Sequence, residues 1–92
     1  MRAVNRIEVL DIAGKLVAED RAITHGDAHA NFTAIAGAWQ AYLGGRAEIT
    51  PADVAAMMII LKMCRARNNA NHLDSWLDAA GYASLGGELS SC

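Results

Sequence analysis

The sequence predicts an all-α protein, a compact bundle of about four helices completed by association of identical chains. Three observations carry this. Apolar residues recur at the i, i+3, i+4, i+7 spacing of amphipathic helices, and no segment shows the strict alternation of a half-buried strand. The periodic segments open on residue types that cap helix N-termini. Finally, 53% of the 92 residues are apolar, above the usual ~45–50%. A domain this small buries only roughly 60–65% of the surface its unfolded chain exposes. The surplus must either lie on the surface or find cover, and cover is the cheaper explanation because monomers rarely expose apolar patches beyond a few hundred Å². A second copy supplies it, so a homo-dimer or larger assembly of one domain (1–92, core about 5–87) is expected.

Helix one opens on Asn5 as N-cap, with Glu8 three residues on to complete a capping box. Ile7, Leu10, Ile12, Ala13, Leu16 and Val17 form its apolar face, and the polar stretch 19–26 ends it. Asp27 caps helix two, whose stripe is Phe32, Ile35, Ala36, Trp39, Tyr42 and Leu43. Gly44-Gly45 stops it. The third start is the clearest: Thr50 as N-cap, Pro51 at the first helical position and Asp53 at the third. Residues 54–61 are apolar on every side, which predicts burial all round. Lys62, Arg65 and Arg67 stand at the C-terminal end, where the macrodipole favours cations. After a loop at 68–71, helix four covers about 72–85 with Leu73, Trp76, Leu77 and Ala80 as its packing stripe. Gly86-Gly87 is its expected stop, followed by a frayed tail.

Composition excludes several classes. Ten acidic residues against eight basic give a formal charge of −2, without the positive footprint that a grip on nucleic acid needs. The longest apolar run, residues 54–61, is far short of the ~20 residues that span a bilayer. No continuous apolar segment follows the N-terminal residues as in a secretory signal. The expectation is a cytoplasmic protein with neither nucleic-acid nor membrane partners. Cys64 lies in an apolar helical run and Cys92 ends the chain, so both read as free thiols.

The chemistry-bearing residues are few. Asp74 and Asp78 share one face of helix four, and Leu85 and Leu89 continue that line with Gly81 beside it. The carboxylates are therefore expected to face a groove. Such a pair suits Mg²⁺, which takes oxygen ligands, although Asp74 also fits as the capping acid of an Asn71 N-cap and Asp78 as a surface residue. Asp53 shares a stripe with Met57, Ile60 and Cys64 and so leans toward the buried side, while also being the cap acid of Thr50. Lys62 and Arg65 suit phosphates, and equally suit a role of offsetting the helix dipole while their stems cover the core. Trp39 and Trp76 read as core residues, with base stacking as the functional alternative. His25, His29 and His72 lack zinc spacing.

The runs Asp20-Arg21, His25-Gly26-Asp27, Asn31-Phe32, Trp39 and Tyr42-Leu43-Gly44 resemble an uncharacterised family of short phage and prophage domains. Ile49-Thr50-Pro51-Ala52-Asp53-Val54, Met57-Met58, Lys62, Arg65 and residues 74–82 agree with it too, so the resemblance covers roughly 8–89. More loosely, the family is similar to MazG-like all-α nucleoside triphosphate pyrophosphohydrolases, oligomeric bundles whose Mg²⁺ sits on carboxylates of two neighbouring helices. That resemblance implies a nucleotide substrate, Mg²⁺ on Asp53, Asp74 and Asp78, phosphates met by Lys62 and Arg65, and a base flanked by Trp39 or Trp76. It implies hydrolysis to monophosphate and pyrophosphate, in the cytoplasm of a bacterial host if the chain is phage-encoded. The pattern departs from that family: Ala56 stands where helix three should carry a second acid, and helix four has its acids at i, i+4 instead of i, i+3. Glu19, Asp20 and Asp27 are the acids left to complete a site. The alternative is a non-catalytic helical phage protein that binds a nucleotide or a host protein.

Overall fold

The computed structural model describes residues 3–21, 27–69 and 71–91. Among these are four α-helices and no strand: α1 (Arg6–Leu16), α2 (Ala28–Tyr42), α3 (Pro51–Asn68) and α4 (Leu73–Ser90). A π-helical turn, Val17–Arg21, widens the coil at the end of α1.

The caps stand where the sequence puts them. Asn5 Oδ1 accepts from Glu8 N at 2.9 Å, while Glu8 Oε1 accepts from Asn5 N at 3.3 Å. Asp27 accepts from His29 N at 2.9 Å. Thr50 Oγ1 accepts from Asp53 N at 3.1 Å, and Asp53 Oδ2 from Thr50 N at 2.9 Å. Each satisfies amides that a helix N-terminus otherwise leaves unpaired. Gly44 and Gly45, at φ 69° and 75°, turn the chain after α2 in the left-handed region that side chains with a Cβ resist. Ile49 N then donates to Gln40 Oε1 at 3.0 Å, tying the connection back onto α2.

Helix α4 differs from expectation at both ends. Its N-cap is His72, not Asn71, and no side chain caps it. Asp74 is therefore the second helical residue and not the acid of an Asn71 capping box. At the other end the helix runs through Gly86-Gly87 to Ser90. Packing explains this: a Cβ at Gly86 would lie 3.3 Å from Ala55 Cβ, so the glycine serves close approach to α3. Leu89, one turn beyond, is buried, and burying it outweighs the roughly 1 kcal/mol that glycine costs a helix.

Helices α3 and α4 form an antiparallel hairpin with the most extensive contact in the molecule, α2 packing on α3 and α1 on α4. The core joins Phe32 and Ala36 of α2 to Val54 and Ala55 of α3 and Leu85 and Leu89 of α4. The Phe32 and Tyr82 rings lie 6.3 Å apart at 41°, a tilted aromatic contact. Gly81 lets the π-helical turn that follows α1 approach α4, since a Cβ there would lie 3.3 Å from Val17 Cγ2.

The bundle is elongated, not compact. It measures 47 × 29 × 22 Å with a radius of gyration of 14.4 Å, against about 12 Å for a globule of this length. The cause is the side-by-side order α1, α4, α3, α2, which leaves outer faces open. The apolar face of α1 is accordingly exposed at Ile7 and Leu10, and Tyr42 on α2 is 90% exposed. Helix α3 is not buried all round either. Val54, Ala55 and Ala66 are buried, whereas Met57, Ile60, Leu61 and Cys64 are exposed. The stripe that includes Asp53 is thus the open one, the reverse of the expectation. Trp76 is half exposed, so it does not belong to the packing stripe of α4; Ser75, Leu77 and Ala79 fill the interior there. No helix among the described residues is long and apolar enough to cross a membrane.

Candidate functional site

The end of the hairpin where α3 passes into α4 gathers most of the polar side chains that the sequence singles out. Lys62 on α3 and Asp78 on α4 face each other across the hairpin, with Nζ 3.0 Å from Oδ2. Their side chains are 16% and 35% exposed, and this partial withdrawal from water strengthens the attraction over that of a surface pair. The carboxylate of Asp78 therefore faces an ammonium group and not an open groove. Lys62, the expected phosphate ligand, has its charge engaged by the same contact.

Beyond this ion pair, Arg65, Asn68, Asn69 and His72 line a cleft of about 280 Å³. Arg65 is exposed and His72 half-buried. His72 Nδ1 shares a 2.7 Å hydrogen bond with Ser75 Oγ, which fixes the ring at the start of α4. No side chain caps α4, but Leu73 N and Ser75 N already donate to Asn71 O and His72 O at 3.1 Å, so the helix start acts on the cleft through the positive end of its dipole and not through a row of free amides. Asp74 lies exposed in that turn and offsets part of this dipole. Trp76 stands one turn after His72 on the same face of α4.

The three expected metal carboxylates are not brought together within the chain. Asp53 precedes Lys62, the partner of Asp78, by nine residues, about 13 Å along the axis of α3. Asp74 lies a full turn from Asp78, farther still from Asp53. Among the described residues no three His, Cys, Asp or Glu side chains are grouped to hold a metal ion. Mg²⁺ does not fit this set of donors in one chain. Asp53 is instead occupied as a cap: the backbone hydrogen bond from Thr50, then that of its side chain, holds the carboxyl below the ordinary aspartate value.

Of the other expected residues, Arg65 lines the cleft, Trp39 packs against the core, and Trp76 is half exposed. Glu19 is exposed and Asp27 caps α2; the side chain of Asp20, like His25 and Cys92, lies outside the described residues. Cys64 is a free, exposed thiol. His72, Asn68 and Asn69 were not legible as site residues. The only available signal was an Asn-rich connection between an Arg-bearing helix end and a histidine.

A family model described as Domain of unknown function (DUF6378) matches residues 8–90. The chain is similar to the Gene 55 protein of Mycobacterium phage L5, with 43% identity over 79 residues, 86% of this chain and 50% of that protein. It is 37% identical to the Gene 55 protein of Mycobacterium phage D29 over 75 residues, 82% of this chain and 48% of that one. The chain thus spans about half the length of the curated relatives it matches. No solved structure matches it. These matches carry the phage-family part of the resemblance and not its MazG-like part.

Proposed function

Since the chain belongs to the DUF6378 family, found in Gene 55 proteins of mycobacteriophages, we propose that it is a non-catalytic phage protein that binds a nucleotide by its phosphates. The observation that carries this reading is the cleft at the hairpin end, where Arg65, Asn68, Asn69 and His72 converge beside the uncapped start of α4. Arg65 supplies a two-pronged donor that matches phosphate oxygens, the asparagine amides supply neutral donors, and the helix start favours negative charge. At about 280 Å³ the cleft lies just under the ~300–1,000 Å³ of sites that enclose whole small molecules. It therefore takes the phosphate end and leaves the base outside, where the half-exposed Trp76 offers a stacking surface. Binding is favoured over hydrolysis because Asp53, Asp74 and Asp78 stand apart and Asp78 is matched to Lys62.

The test is a panel of ribo- and deoxyribonucleoside triphosphates, with and without Mg²⁺, followed by thermal melting, Trp fluorescence and product analysis. The expected result is stabilisation without turnover, lost in Arg65→Ala. At a ligand excess of 100 Kd the stabilisation is about 2.7 kcal/mol, equivalent to a rise of roughly 10–20 °C in a domain of this size. No shift with any nucleotide sinks the proposal. Release of monophosphate and pyrophosphate replaces the binder with the hydrolase of the sequence resemblance.

A further inference from the structure

The exposed face of α3 is built to meet itself. Taking 3.6 residues per turn, Asp53, Met57, Ile60, Cys64 and Arg67 fall within about 80° of one another on the helix. All five are exposed. Met57 is 42% and Ile60 63% exposed, with Leu61 beside them at 44%. This stripe faces away from the α4 contact, which uses Ala55 and Lys62 on the opposite side. Its order is acid, apolar, apolar, apolar, cation.

We propose that a second copy of the chain covers this stripe, with the two α3 helices antiparallel about a two-fold axis at Ile60. A two-fold contact must be self-complementary, and only the antiparallel arrangement makes this one so. It sets Asp53 of one copy against Arg67 of the other at both ends, Met57 against Cys64, and Ile60 against its own equivalent. A parallel pairing sets Asp53 against Asp53 and Arg67 against Arg67, which is repulsive at both ends. The capping role of Asp53 is compatible, since Thr50 N takes Oδ2 while the residue as a whole remains exposed. Arg65 lies off the stripe, so the pairing does not depend on the nucleotide reading.

One helix pair covers less than the roughly 800 Å² per partner of a standard interface, so covalent capture is the appropriate assay. In the full chain carrying Cys92→Ser, Cys64 is the sole thiol. Antiparallel pairing about Ile60 keeps the two Cys64 residues apart by about 12 Å along the axis, beyond the ~7 Å that a disulfide bridges. Mild oxidation should leave this protein uncrosslinked. Adding Met57→Cys should make the covalent dimer the major species, with peptide mapping linking the introduced thiol to Cys64 of the other chain. The introduced thiol cannot bridge to Cys64 in its own chain, which lies two turns away. Adding Ile60→Asp should abolish the dimer while circular dichroism shows unchanged helicity. Crosslinking through Cys64 alone would establish a parallel or different pairing and overturn the proposal. So would a Met57→Cys protein of normal helicity that remains uncrosslinked.

Discussion

Gly86 and Gly87 are neighbours in α4 with opposite surroundings, and together they separate helix propensity from packing. A Cβ at Gly87 meets nothing within 4 Å, whereas one at Gly86 meets Ala55 Cβ at 3.3 Å. Ala55 is wholly buried and its methyl has no rotamer by which to yield, so relief requires the α3 and α4 backbones to move apart. Gly87→Ala should therefore show the propensity gain alone, about 0.5–1 kcal/mol of added stability. In Gly86→Ala the same gain is opposed by overpacking, which costs about 1–3 kcal/mol in a filled core. The net expectation is between no change and a loss of about 2 kcal/mol. At 4–8 °C per kcal/mol for a domain of this size, the two melting temperatures should differ by roughly 5 °C or more. Thermal and urea unfolding of both single variants at one protein concentration makes the comparison, the fixed concentration excluding any contribution from self-association. Equal stabilisation by the two alanines would refute the claim that Gly86 sets the approach of α3 to α4. A Gly86→Ala, Ala55→Gly double variant that recovers the loss would localise the effect to this one contact.

Lys62→Met and Asp78→Asn should each destabilise the fold, and the double variant should lose less than their sum. The coupling should be about 1 kcal/mol, since the pair is neither fully exposed nor fully buried; an additive double-mutant cycle counts against the pair. Phe32→Ala should cost about 3–5 kcal/mol, because the ring is buried at the junction of α2, α3 and α4; a loss under about 1 kcal/mol in urea unfolding would show that this core does not hold the fold. The Asp53 carboxyl is held below its ordinary value by the hydrogen bonds from Thr50, so its contribution is full above the unfolded pKa and disappears as pH falls through the folded one. The stability difference between wild type and Asp53→Asn should be constant at neutral pH and narrow below about pH 4. A difference that stays flat into acid would remove the charge from the cap.

Local signals were the most legible part of the sequence. Asn5, Asp27 and Thr50 reveal helix starts because capping is a contact between residues two or three apart. The partner of Gly86, by contrast, is Ala55, thirty-one residues away, and nothing local distinguishes a glycine that ends a helix from one that admits a neighbour. The same limit governs the site. Lys62 and Asp78 are each recognisable as charged side chains, but their pairing exists only once the hairpin closes. The apolar run 54–61 shows that α3 is sticky on every side without showing which side this chain itself covers. Arg65 was legible as an anion ligand because a cation at a helix C-terminus is conspicuous. His72 was not, because its contribution comes from the turn that places it opposite Arg65.

Only four residues separate the end of α3 from the start of α4, and this fixes an order of events in time. Closing so short a loop carries little entropy cost, and contacts between near neighbours in sequence form quickly. The α3–α4 hairpin should therefore be the kinetic nucleus, with α2 and α1 docking onto its outer sides afterwards. The reverse hierarchy should hold for opening. Helix α1 contributes a single buried residue, Ala13, so its amides should exchange with solvent through partial opening well below the global unfolding energy. Amides around Ala55 and Leu85, where three helices meet, should exchange only when the whole chain unfolds. A truncated chain starting near residue 27 should consequently keep the slowest-exchanging amides of the intact protein.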